Sequence, residues 1–314
     1  IMNKYIFGPV PSRRLGSSLG IDIIPSKICQ LDCIYCEVGK TTELSAERKH
    51  YFDPNIIVDE FTREYDKVKN GIDVVTITGS GEPTLNIHFA EIASRIKKIS
   101  NHPLAILTNS TTMTYSDVQQ GLMQFDIIVP SIDAATQAVF KRINKPAAEL
   151  DINKINESLT DFTHKFQGKI YPEVLIVKDI NDSEEEMAKI AEIIKKCRYD
   201  RVQVNTVFRP PAYAGVKGLT EEELVNAFLF FKEAGLTVEP VGNFIKSIGA
   251  IPLESLSERI SALLRMRPCT IKDIEMIFTA DHNDIVNIVT ELLEQGLIEE
   301  KLFKNESFYF GISN

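Results

Sequence analysis

Three cysteines lie within eight residues, Cys29-Gln30-Leu31-Asp32-Cys33-Ile34-Tyr35-Cys36, a C-x3-C-x2-C spacing directly after the apolar run from Leu19 to Pro25. A closed structural zinc site takes four nitrogen or sulfur ligands, and an ordinary four-iron cluster takes four cysteines. Three clustered thiolates therefore predict a metal centre with one position open to a small molecule. The alternatives are a zinc site completed by His50, fourteen residues past Cys36, and three inert buried cysteines. The spacing to His50 matches no common zinc pattern, and the flanking Gln30, Asp32 and Glu37 do not read as core.

Other residues able to do chemistry sit at predicted strand ends. Thr78-Gly79-Ser80-Gly81-Glu82-Pro83-Thr84 combines two glycines, which let backbone approach a ligand, with a carboxylate able to accept from an ammonium group. The plain alternative is a glycine-rich turn. Asn109, in Leu107-Thr108-Asn109-Ser110-Thr111, and Ser131 and Asp133, in Pro130-Ser131-Ile132-Asp133-Ala134, end two further strands. Taken singly, these are also turn and cap residues. Glu173 alternates with Val174 and faces either inward or solvent. Arg13 and Arg14, in the stiff segment from Gly8 to Gly16, and Asn205 and Arg209, where a strand exits through Pro210 and Pro211, are candidate substrate contacts. Guanidinium forks suit a carboxylate or phosphate; solvated arginines and a rigid connector are the plain alternatives.

These residues need a frame, and the hydrophobic pattern supplies one. Strands are predicted over residues 20–25, 73–78, 104–108, 125–132, 169–177 and 201–207, with a short one over 236–240. Helices are predicted over 56–69, 88–100, 151–166, 183–196 and 220–234, with Ser116 capping another. Ser183 with Glu186, and Thr220 with Glu223, have capping-box spacing. The alternation predicts an α/β fold, a partial or complete (βα)6-type TIM barrel over residues 1–250, whose active site lies at the C-terminal ends of the strands.

Residues 253–314 change character. Helices over 256–266, 271–278 and 283–295 precede strands over 297–303 and 307–311, a winged-helix-like domain. From Leu253 onward, six Lys and Arg face eleven Asp and Glu, a net of −5 that disfavours DNA phosphates. The whole 314-residue chain carries −9. It has no apolar run near the ~18 residues of a membrane span, and its start lacks signal-peptide layout. Five cysteines, three of them crowded together, suit a reducing compartment. A cytoplasmic location and no membrane partner are expected.

The cysteine loop, with an aromatic residue before its last cysteine and placed after the first strand of a βα series, resembles the radical S-adenosylmethionine superfamily. The resemblance implies that Cys29, Cys33 and Cys36 hold three irons of a [4Fe-4S] cluster, whose fourth iron is chelated by the amine and carboxylate of S-adenosylmethionine. It sets Tyr35 along the adenine. Gly79, Gly81 and Glu82 resemble a Gly-Gly-Glu motif that holds the cofactor's amine, here with Ser80 inserted. Asn109, Ser131 and Asp133 then contact ribose and carboxylate, and an inward Glu173 joins the cofactor set.

The Gly8 to Gly16 segment, Ile143-Asn144-Lys145-Pro146 and Arg209-Pro210-Pro211 further resemble a branch grouped with the wyosine-tRNA synthases, over residues 7–215. Those synthases carry a second cluster on three more cysteines. Only Cys197 and Cys269 remain here, so a single cluster is expected. The resemblance implies reductive cleavage of S-adenosylmethionine and hydrogen abstraction from a small-molecule or nucleoside substrate, with electrons from a flavodoxin- or ferredoxin-type donor. A second expectation is a peptide- or protein-modifying enzyme whose C-terminal module recognises its target, by strand addition at the 307–311 edge. A non-catalytic metal-binding protein is the third.

Overall fold

The computed structural model describes residues 4–12, 14–240, 253–278 and 280–312. Its first strand, β1 (Ile6–Ser12), runs antiparallel to β2 (Gly16–Asp22). The segment expected to be a stiff loop is thus half of a hairpin. Pro9 and Pro11 mask it in the sequence, yet an edge strand tolerates proline because half of its N–H groups need no partner. Gly20 permits the pairing: a Cβ there would lie 2.1 Å from the Phe7 ring.

After β2, the two-residue strands β3 (Ile28–Cys29) and β4 (Glu43–Leu44) pair in parallel and pinch the base of the cysteine loop. Then α1 (Pro54–Val68), capped by Asp53, buries Ile57, Phe61 and Tyr65 at helical spacing. The βα rhythm continues through β5 (Val74–Thr78), α2 (Phe89–Ile99), β6 (Leu104–Thr108), α3 (Ser116–Leu122) and β7 (Ile127–Pro130). Ser116 is the first residue of α3 and Tyr115 its cap. Two helices come next, α4 (Gln137–Ile143) and α5 (Ile152–Lys165).

The strand expected over 169–177 is two, β8 (Lys169–Ile170) and β9 (Glu173–Ile176). Tyr171 still donates to Ile128 of β7, whereas the carbonyl of Pro172, which has no N–H to give, accepts from Gln203 on the other side. The chain changes neighbours there. Beyond it lie α6 (Glu184–Lys196), β10 (Val202–Thr206), α7 (Glu221–Glu233) and β11 (Val238–Pro240). Thr220 and Glu223 form a complete capping box. At α6 only half forms: Ser183 accepts from the Glu186 amide, while the Glu186 carboxylate turns to Ala135 and Thr136 after β7.

The strand order is β1-β2-β5-β6-β7-β8, continued by β9-β10-β11 through a bridge between Ser131 and Glu173. From β2 onward the strands are parallel, making an arc that is a partial TIM-type barrel. The turn between β1 and β2 reaches across to β10: the carbonyl of Arg14 accepts from Arg201 and Gln203. Period-two alternation sorts the side chains. Leu19, Ile21, Val75, Ile77, Ile106, Ile128, Val174 and Val204 pack outward into one core beneath the helices. Ser18, Thr76, Thr108, Glu173 and Asn205 face the inside of the arc and line its cavity.

The C-terminal segment has its own core. It comprises α8 (Leu253–Met266), α9 (Ile271–Phe278), α10 (His282–Glu294) and the antiparallel pair β12 (Ile298–Phe303) and β13 (Glu306–Gly311). Lys304 and Asn305 both take positive φ at the hairpin turn, as a tight two-residue loop requires. The edge expected to be open for strand addition is engaged, because Tyr309 exchanges both backbone hydrogen bonds with Cys269. This segment docks on β1. Val10 belongs to its core, and buried Arg259 donates to the carbonyl of Gly8 and pairs with Glu64 of α1 at 3.2 Å. No described helix is long and apolar enough to cross a membrane.

Candidate active site

A cavity of about 340 Å³ opens at the C-terminal ends of the strands, at the low end of the range for small-molecule sites. Cys29, Cys33, Tyr35, Cys36, Gly79, Gly81, Glu82, Asn109, Ser131, Asp133, Glu173, Asn205, Arg14 and Arg209 all line it. Arg13 lies outside the described residues.

Each of the three sulfurs receives a side-chain N–H donor. Asn109 donates to Cys29 Sγ at 3.4 Å, Asn144 to Cys33 Sγ at 3.2 Å, and the Lys27 ammonium to Cys36 Sγ at 3.2 Å. Burial pushes the Cys29 thiol up to about 12, and burial together with the neighbouring Cys29 pushes Cys33 well up. As free thiols these groups resist ionisation; a cationic centre would reverse that preference, since metal binding and deprotonation are linked. The donor set therefore fits an iron–sulfur cluster. It does not fit the zinc alternative: His50 stacks edge-on with His88 and does not line the cavity. Among the described residues, no three His, Cys, Asp or Glu side chains converge on a single ion. Cys197, at the end of α6, and Cys269, in the C-terminal core, are buried elsewhere.

The glycine-rich loop approaches protein. A Cβ on Gly81 would sit 1.8 Å from the carbonyl oxygen of Ile28, and one on Gly79 would sit 2.4 Å from the Ile24 side chain. The contact locks the two loops together: Glu82 N donates to Ile28 O, and Lys27 N to Ser80 O at 2.8 Å. The inserted Ser80 gives its hydroxyl to half-buried Asp22 at 2.6 Å, and desolvation raises Asp22 to about 6.

Glu82, expected to be open to an ammonium group, is already engaged. Its carboxylate accepts from the hydroxyls of Thr84 and Thr108 and from the amides of Thr84 and Asn109, bracing β5 against β6. Burial still raises it above the usual carboxylate range, the four donors opposing that shift. Tyr35, expected along an adenine, donates its hydroxyl to Asp133, which also accepts from Asn144 at 3.1 Å and from the Leu175 amide. Desolvation holds Asp133 at about 6. Asn144 thus joins Cys33 to the end of β7.

Glu173 points inward. It pairs with Arg14, whose Nε lies 2.6 Å from Oε1, and accepts from Asn205 at 3.1 Å. Arg209 donates to the carbonyl of Pro268 and lies 3.3 Å from Glu37. Two residues missed in the sequence also line the cavity, Lys27 and Arg267. Lys27 stands two positions before Cys29, the one local hint available; nothing in the periodicity marks Arg267.

The family model of the radical SAM superfamily matches residues 23–231. The UPF0026 protein MJ1312 of Methanocaldococcus jannaschii is 30% identical over 311 residues, covering 96% of this chain and 94% of its own length. A Brachyspira hyodysenteriae protein called GTPase Obg is 34% identical over 303 residues, 96% of this chain, which spans only 44% of that relative's length. Among solved structures, TYW1 with a lysine-pyruvate adduct bound superposes with a TM-score of 0.52 at 16% identity, covering 70% of this chain and 75% of that one. At that identity the likeness speaks for the fold.

Proposed function

The chain belongs to the radical SAM superfamily, and from that premise we propose that it is an enzyme with a single [4Fe-4S] cluster, held by Cys29, Cys33 and Cys36, acting on a small-molecule or nucleoside substrate. Held by Cys29, Cys33 and Cys36, the cluster would supply the electron for reductive cleavage of S-adenosylmethionine and so for hydrogen abstraction from the substrate; the protein positions and shields this chemistry. The observation that carries the reading is the trio of side-chain N–H donors on three sulfurs of a strand-end cavity. Such donors offset the negative charge of ligating sulfurs.

The residues then divide the work. Asn109, Asn144 and Lys27 hold the sulfurs. Tyr35, Ser131, Asp133, Gly79, Gly81 and Glu82 shape the cofactor's seat, with Asp133 and Glu82 kept rigid by their own donors. Arg14, Asn205 and Arg209 stand on the substrate side, with Glu173 fixing the first two; Arg13 belongs to the same proposed set. Residues 1–250 form the barrel domain, and residues 253–314 a winged-helix-like domain that packs on it. A flavodoxin- or ferredoxin-type donor supplies electrons. Anaerobic reconstitution with iron and sulfide, then reduction in the presence of S-adenosylmethionine, tests the reading: 5'-deoxyadenosine should form. A reconstituted, reduced protein that forms none would sink it.

A further inference from the structure

Three guanidiniums, those of Arg14, Arg209 and Arg267, line the cavity. Two carboxylates answer them. Arg14 is paired with Glu173, and Arg209 lies against Glu37; the charge of Glu37 also acts on Arg14 and Arg267. The remaining cavity acids, Glu82 and Asp133, are held by neutral donors, with Tyr35 against Asp133. Lys27, the fourth cation of the cavity, is turned to the Cys36 sulfur, so the three guanidiniums exceed by one the two carboxylates that answer them, in a protein whose net charge is −9.

That excess is localised on Arg267. It follows α8 directly, and among the described residues its side chain donates from Nη1 to the Pro11 carbonyl at 3.4 Å and hydrogen-bonds the Cys269 thiol. No carboxylate lies within ion-pair distance of it among the described residues. Its Nε is withdrawn from solvent without any acceptor. A guanidinium with five donors and so little to receive them is a costly arrangement away from water unless an anion completes it. Arg14 and Arg209, two of the three arginines singled out in the sequence, are already engaged by protein groups.

We propose that Arg267 is the anchor for an anionic group of the substrate, a carboxylate or a phosphate, so that the C-terminal segment completes a site otherwise built by the barrel. This rests on the radical-enzyme reading and names the substrate class for it. A substrate anchored at Arg267 shares the cavity with the three sulfurs.

The test uses anaerobically reconstituted holoenzyme of the natural sequence and the variants Arg267→Gln and Arg267→Lys. Orthophosphate and succinate are titrated separately by calorimetry at constant ionic strength, and folding of each variant is checked by circular dichroism. One of the two anions should bind the natural protein, about tenfold or more weakly after Arg267→Gln, with Arg267→Lys between; which anion binds identifies the group. The inference is overturned if neither anion binds, if a folded Arg267→Gln binds as well as the natural protein, or if that variant loses affinity for S-adenosylmethionine while keeping its anion. Formation of 5'-deoxyadenosine by the natural protein is measured alongside. Its absence fails the radical-enzyme reading, whereas its presence without an anion response fails only the role of Arg267.

Discussion

The pairing of Arg14 with Glu173 spans 159 positions of sequence and ties the turn of the first hairpin to the far side of the barrel. Replacing Glu173 by Gln leaves the guanidinium facing an amide; replacing Arg14 by Gln leaves a carboxylate held only by Asn205. Breaking a fully buried pair costs about 3–5 kcal/mol. Glu173 is 10% exposed but Arg14 26%, so water recovers part of the loss, and each single change should cost about 2–4 kcal/mol. For a chain of this size that lowers the unfolding midpoint by roughly 3–6 °C. Because the two losses describe one contact, the double variant should fall short of their sum by about 2 kcal/mol. Thermal unfolding of all four proteins decides the matter. Strict additivity of the two single losses refutes the reasoning.

Three further outcomes are expected. Gly81→Ala must displace the Ile28 carbonyl, 1.8 Å from the new methyl, so it should destabilise the protein by about 2 kcal/mol or more and lower iron per chain after reconstitution, read by chemical iron assay. Asp22 has its folded pKa raised to about 6 by burial, above the ~3.9 of the unfolded chain. Its burial therefore costs most above pH 6, and the cost is relieved as pH falls toward 4. The natural protein should gain stability relative to Asp22→Asn between pH 7 and pH 4.5 in urea unfolding; a relative loss over that range would count against this. Lys27→Met removes a cation 3.2 Å from Cys36 Sγ, making the reduced, more negative cluster harder to form. Its midpoint potential in a spectroscopic redox titration should drop by about 60 mV, the one-electron equivalent of a tenfold change, and an unmoved potential would separate Lys27 from the cluster.

The barrel was legible because its strands alternate. Leu19 and Ile21, Val75 and Ile77, and Val174 and Ile176 bury one face, and the residues between them make the cavity wall. Chain reversals governed by proline were not: Pro9 and Pro11 concealed an edge strand, and Pro172 split one strand into two with different neighbours. The positions that resemble a known cofactor site could be read off the sequence, but their partners could not. That Glu82 is saturated by Thr84, Thr108 and Asn109, and that Tyr35 is tethered to Asp133, depends on loops meeting in space. Lys27 and Arg267 illustrate the same limit, since a single cation acquires meaning only from what lies opposite it.

The first strand has two owners. One face of the hairpin feeds the barrel core through Ile6 and Leu19, while Val10 is counted in the C-terminal core, and Arg259 and Arg267 satisfy the carbonyls of Gly8 and Pro11. An exposed sheet edge is a template for association with other chains, and natural proteins blunt it with prolines or cover it. Here both devices act on one strand. Cutting the chain at residue 253 would therefore not release a smaller working enzyme; it would strip the sheath from a raw margin, and the shortened protein should be lost to aggregation before its chemistry could be asked about.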